Sequence, residues 1–134
     1  MNVNKILWDK AASGALGDPE GDALTPDSPD AFWVCVQCAG RVAPANAART
    51  VASQHEHCFV NPSGIPFRIG CFERAPGCRP TGQEVAQWSW FEGFAWTIGL
   101  CASCGLHLGW RYRAADQHTF YGLILDRLRL EPPP

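Results

Sequence analysis

Ala95-Trp96-Thr97-Ile98-Gly99-Leu100 runs directly into Cys101-Ala102-Ser103-Cys104-Gly105, and after Leu106 and His107 comes Leu108-Gly109-Trp110-Arg111-Tyr112. The first six residues alternate, with Trp96, Ile98 and Leu100 on one face and small or polar residues on the other, as a half-buried strand requires. The last five alternate in the same way, and Trp110 shares its face with Tyr112. Between them stand two cysteines at C-x-x-C spacing, followed by a glycine that suits a tight turn with backbone N–H groups aimed at the thiolates. The reading is two strands joined through a metal knuckle.

A second knuckle, Cys35-Val36-Gln37-Cys38-Ala39-Gly40, follows the apolar run Ala31-Phe32-Trp33-Val34. Together Cys35, Cys38, Cys101 and Cys104 offer a closed tetrahedral set with no open position for a substrate, so a structural zinc ion is expected. The long interval from Cys38 to Cys101 means that the metal ties together the ends of a larger β fold. His55, His57 and His107 are competing ligands and are discounted; His55 and His57 read as exposed or hydrogen-bonded loop residues before a strand. The chain has seven cysteines and no export signal, which argues against disulfides. Cys58, Cys71 and Cys78 are expected to pack as small buried thiols.

The rest of the chain fits a single mostly β domain over 31–130. Phe59-Val60 and Phe67-Arg68-Ile69 flank the turn-forming Asn61-Pro62-Ser63-Gly64 and predict a hairpin. Phe120 to Ile124 reads as a closing strand followed by a helical turn through Asp126-Arg127-Leu128, although a helix over Phe120–Leu130 has the same periodicity. Residues 1–30, rich in Ala, Gly, Pro and Asp from residue 11 onward, read as a mobile leader, and 131–134 as a tail. Of 134 residues 46% are hydrophobic and 18% charged, the balance of a folded globule. Eleven basic against thirteen acidic residues, with no basic cluster, argue against a nucleic-acid partner. No apolar run reaches the roughly 20 residues needed to cross a bilayer, so no membrane partner and a cytoplasmic location are expected.

Four of the six tryptophans, Trp88, Trp90, Trp96 and Trp110, lie close to the second knuckle in sequence. Trp88 and Trp90 share strand parity, and Trp96 follows across the Phe91-Glu92-Gly93-Phe94 turn. Their rings are either core or the walls of a pocket. Four N–H-bearing rings are an awkward core choice beside Leu or Val. Rigid walls with strand backbone at one side would suit a flat, uncharged ligand bearing an imide or amide. An aromatic cage for quaternary ammonium groups is the physical alternative.

Trp88-Ser89-Trp90-Phe91-Glu92-Gly93-Phe94-Ala95-Trp96-Thr97-Ile98, the knuckle after it, and His107-Leu108-Gly109-Trp110 resemble the CULT domain family, the thalidomide-binding domain of cereblon. Phe59 to Gly64 and Phe120-Tyr121-Gly122-Leu123 are similar to further parts of the pattern. The resemblance implies a β-tent, two antiparallel sheets meeting at a steep angle and pinned by one Cys₄ zinc. It implies that Trp90, Trp96 and Trp110 wall a glutarimide-like ring above Tyr112, with Asn61 at the mouth. It also implies that the Trp88 carbonyl accepts the imide N–H and the Trp90 amide donates to an imide oxygen. The implied partners are a cyclic imide or uridine-like small molecule, or cyclic-imide protein ends. Trp88 stands where human-type cereblon has a histidine that helps hold an imide oxygen. Lacking the other parts of full-length cereblon, the chain resembles the single-domain bacterial CULT proteins and is expected not to be an enzyme.

The enzymatic alternative is a methionine sulfoxide reductase B-like oxidoreductase, which shares a C-x-x-C-G-x-H-L-G segment. The nucleophilic cysteine that reaction needs matches Gly122 here.

Overall fold

A computed structural model describes residues 31–132. Nine strands follow in order: β1 Phe32–Cys35, β2 Arg41–Pro44, β3 Glu56–Val60, β4 Pro66–Phe72, β5 Cys78–Val85, β6 Phe94–Cys101, β7 His107–Ala114, β8 Thr119–Ile124 and β9 Leu128–Glu131. They form two antiparallel sheets, β2-β1-β9 and β3-β4-β8-β7-β6-β5. The expected mostly β, two-sheet architecture is present.

The β3–β4 hairpin turns where the sequence places it. Asn61 Oδ1 accepts hydrogen bonds from the amides of Ser63 and Ile65, each at 2.9 Å, and Gly64 takes a left-handed φ of 87°. A short side chain bonded to its own backbone and a residue without a Cβ are what such a turn needs.

The centre of the larger sheet is the β6–β7 pair, with Trp96 opposite Tyr112 and Ile98 opposite Trp110. Gly99 faces Gly109, but Leu100 faces His107, so Leu108 is an extra residue in β7. This bulge corrects the simple alternation expected over 108–112. It sends Leu108 into an apolar cluster with Cys35, Cys101, Phe72, Leu123 and Leu128, while Trp110 and Tyr112 join a second cluster with Phe59, Ile69, Phe91 and Phe120. The first cluster packs the small sheet against the large one. The second carries three of the four tryptophans singled out above, Trp90, Trp96 and Trp110, packed at its edge, while Trp88 is exposed.

Three other expectations change. β8 does not close the fold: a 3₁₀ turn over Leu125–Arg127 leads into β9, which pairs with β1 and so returns the chain to the small sheet. Trp88 and Trp90 lie in the loop between β5 and β6, not on a strand, and Trp88 has a left-handed φ of 67°. His57 is a buried residue of β3, its Nε2 donating to the carbonyls of Val51 at 3.0 Å and Gln54 at 3.1 Å. The leader expected over 1–30, and Pro133 and Pro134 of the tail, lie outside the described residues; Glu131 is the last residue of β9.

Candidate functional site

The two knuckles have one local design. Cys35 ends β1 and Cys101 ends β6, and each amide donates to the carbonyl five residues on, Gly40 at 2.9 Å and Leu106 at 2.7 Å. The amides of Ala39 and Gly105 donate back to the carbonyls of Cys35 and Cys101 at 2.8 and 2.9 Å. Both residues have left-handed φ, 65° and 82°. In the first knuckle the turn therefore falls on Ala39, and Gly40 has a different use from the one expected. A Cβ on Gly40 would stand 2.9 Å from Ser103 Oγ, so this glycine lets the two knuckles approach each other.

That approach brings four sulfurs together. Cys35 and Cys104 are 3.7 Å apart, as are Cys38 and Cys101, and all four lie within 4.8 Å of one another. A tetrahedral ion with sulfur at about 2.3 Å requires S–S edges of about 3.8 Å, whereas a disulfide closes to about 2.05 Å. The set fits a metal. Amides of Gln37, Gly40 and Ser103 point at Cys35, Cys38 and Cys101 sulfurs at 3.3–3.4 Å, the stabilisation thiolates need. The Leu106 amide, helped by the Gln37 side chain at 3.1 Å, draws Cys104 down to about 7. Since β1 belongs to the small sheet and β6 to the large one, an ion here joins the two.

Among the described residues no histidine enters this set. His107 instead donates from Nε2 to the Gly109 carbonyl at 3.0 Å and sets its ring against the edge of Trp110 at 4.9 Å. Burial lowers its pKa, which keeps the ring neutral in this packing role. Cys71 and Cys78 are buried, and desolvation pushes both thiols up to about 12, the opposite of what a nucleophile requires. Cys58 is half-buried rather than buried. At Gly122 a Cβ would stand 3.0 Å from both Ile69 and the Tyr112 ring, so the aromatic ring occupies the space a reactive side chain would need.

On the face with Tyr112, the structure brings all six residues expected of the ligand site around one cavity of about 270 Å³: Asn61, Trp88, Trp90, Trp96, Trp110 and Tyr112. Tyr112, 2% exposed, forms the base and stacks on Phe120. Trp90 stacks on Phe59 at 4.8 Å and meets Trp110 edge-on at 5.1 Å. Among the described residues no ring contact joins Trp96 to either, although all three line the cavity, so the gap between the walls is the cavity itself. Ile98 and Pro62 complete the lining and were missed in the sequence. Ile98 shares the parity of Trp96, and that was the available signal.

The wall formed by residues 86–93 has no strand partner and is held in other ways. Phe91 is buried against Phe59, Tyr112 and Phe120, with ring separations of 5.2, 4.8 and 5.0 Å. Trp96 Nε1 donates to the Gln87 carbonyl at 2.8 Å. Ser89 Oγ donates to the Phe91 carbonyl at 3.0 Å and accepts from the Phe91 amide at 3.2 Å. These ties offset the roughly 1–2 kcal/mol that left-handed backbone costs a non-glycine residue such as Trp88. Among the described residues, no group of the chain is hydrogen-bonded to the Trp88 carbonyl or the Trp90 amide.

No family model matches the chain. It is similar to cereblon of Xenopus tropicalis, 34% identical over 79 residues, which cover 56% of this chain and 18% of that protein. Cereblon of Gallus gallus is 35% identical over 74 residues, 52% of this chain and 17% of the relative. Cereblon of Drosophila persimilis is 35% identical over 54 residues, 37% and 9% of the two chains. The matched segment is thus less than a fifth of each relative's length. Over about half of its length, then, this chain, folded as two antiparallel sheets that meet at a pair of cysteine knuckles, is similar to cereblon, in keeping with the resemblance to the CULT domain family.

Proposed function

We propose that this domain binds a small, flat, uncharged molecule in the tryptophan-walled cavity, a cyclic imide of the glutarimide type or a uridine-like ring, without performing chemistry on it. The observation that carries the reading is the cavity's composition. Four indoles and a tyrosine supply the walls, and among the described residues no charged side chain lines it and a carbonyl and an amide without a partner stand at Trp88 and Trp90. An imide presents a donor flanked by acceptors on an apolar ring and would satisfy both backbone groups, leaving neither ligand nor protein with a buried unpaired polar group. Trp88 brings no counterpart to the histidine bond of human-type cereblon, and the backbone carries the recognition. Zinc held by Cys35, Cys38, Cys101 and Cys104 is the proposed structural cofactor, and cyclic-imide ends of other proteins are proposed partners in a cytoplasmic setting.

The absence of a carboxylate from the lining, among the described residues, disfavours a quaternary ammonium ligand, whose charge would be left without a counter-ion. Sulfoxide reduction is disfavoured by Gly122 and by the raised pKa values of Cys71 and Cys78. Titration with glutarimide, followed by intrinsic tryptophan fluorescence, is the direct test. Quenching that saturates and is lost in Trp96→Ala is expected. An unresponsive metal-loaded protein, or a response to trimethyl-lysine in place of the imide, would sink the reading.

A further inference from the structure

The residue between the two proposed recognition groups has a use of its own. The Trp88 carbonyl belongs to the peptide plane joining residues 88 and 89, and the Trp90 amide to the plane joining 89 and 90. Only the φ and ψ of Ser89 separate those planes, so they alone set the angle between acceptor and donor. The loop has no ladder to fix them, and the left-handed φ of 67° at Trp88 leaves the chain bent on the preceding side.

The Ser89 hydroxyl closes on Phe91 twice, donating to its carbonyl at 3.0 Å and accepting from its amide at 3.2 Å. Phe91 is itself anchored in the core against Phe59, Tyr112 and Phe120. The hydroxyl therefore fastens the 89–91 backbone to the most rigid part of the loop. On the other side of Trp88, the bond from Trp96 Nε1 fixes the Gln87 carbonyl at 2.8 Å. The stretch bearing both recognition groups is pinned at its two ends.

We propose that Ser89 is a positioning residue for the cage, holding the Trp88 carbonyl and the Trp90 amide at the angle an imide edge requires. It touches no ligand in this scheme and acts through the two peptide planes it joins. The inference rests on the cage reading, and the experiment separates their failures.

Glutarimide and N-methylglutarimide are titrated against the metal-loaded wild type, Ser89→Ala and Ser89→Thr, with tryptophan fluorescence as the readout. N-methylation removes the donor to Trp88 and leaves the acceptor for Trp90. In Ser89→Ala glutarimide is expected to bind about tenfold more weakly, the equivalent of one well-placed hydrogen bond. Its advantage over the N-methyl derivative should narrow about threefold or more, because the two-point contact is what loosens. Ser89→Thr, which keeps the hydroxyl, should restore most of that advantage. Melting temperature and bound metal should be unchanged in Ser89→Ala, since the bond lies in a surface loop. Wild-type affinity in Ser89→Ala, or an equal loss for both ligands, would overturn the positioning role while the cage reading stood. Failure of the wild type to bind either imide would overturn both.

Discussion

Cys71 shows how burial alone settles the role of a reactive group. It lies one residue before the end of β4, within the aromatic cluster and fully enclosed, and desolvation pushes its thiol up to about 12. Its folded value is raised above the ordinary thiol value of 9.0, so the native state keeps the proton while the unfolded chain gives it up. The stabilisation is complete below about pH 9 and is lost as pH rises toward about 12. Urea midpoints measured from pH 8 to 10.5 should fall with rising pH, and less steeply in Cys71→Ala. Iodoacetamide should leave Cys71 unmodified until the protein unfolds, which peptide mass spectrometry would register. That Cys71 is a buried thiol was legible from its residue type. The left-handed turn at Ala39 was not, because the glycine beside it offered the more obvious candidate. Trp88 misled for a similar reason: W-x-W spacing has strand parity, and only the ties through Gln87, Ser89 and Phe91 make the segment a loop.

Among the elements, β7 and β8 approach more closely than side chains permit. A Cβ on Gly109 would overlap the Gly122 carbonyl oxygen, whereas one on Gly122 would meet only the Ile69 methyl and the Tyr112 ring edge at 3.0 Å. Backbone cannot give way as a side chain can. Gly109→Ala should therefore cost more than Gly122→Ala, for which about 1–3 kcal/mol of overpacking is expected. Thermal unfolding of the two variants checks the order, and an equal or reversed ranking would contradict this packing. The strands that build the cage were legible because one of their faces is apolar and alternates. β5 was not: its segment Cys78–Val85 contains Pro80 and Gly82, and as an edge strand it is largely exposed, so nothing in it needs to alternate. β9 escaped because its four residues are identified only by pairing with β1, some hundred positions away in the chain.

For the whole molecule, the cysteine cluster lies where the two sheets meet, beside the apolar cluster that packs one on the other, and a metal held there would tie them together. Removing a metal held there would leave four thiolates to be reprotonated or to repel one another where the two sheets meet. Chelation is expected to abolish cooperative unfolding, with near-ultraviolet circular dichroism collapsing and metal release measured in parallel. A metal-free protein with an unchanged melting temperature would contradict the pinning role. The site was readable from spacing because four ligands at two fixed intervals form a local pattern. The cavity was readable only in part: the tryptophans announced themselves, but Pro62 and Ile98 enter through the hairpin tip and the sheet register.

The extra residue at Leu108 links these two regions. β7 begins at His107, three residues before Trp110, and the bulge at Leu108 lets the two rings meet at 4.9 Å in spite of that odd spacing. The bulge acts as a phase shift, sending Leu108 to the cluster that holds Cys35 and Cys101 and Trp110 to the aromatic wall within one short stretch. Inserting or deleting a single residue there would force a choice between a displaced cysteine knuckle and a wall turned out of the cavity. The length of this interval, more than its composition, is what the fold has to preserve.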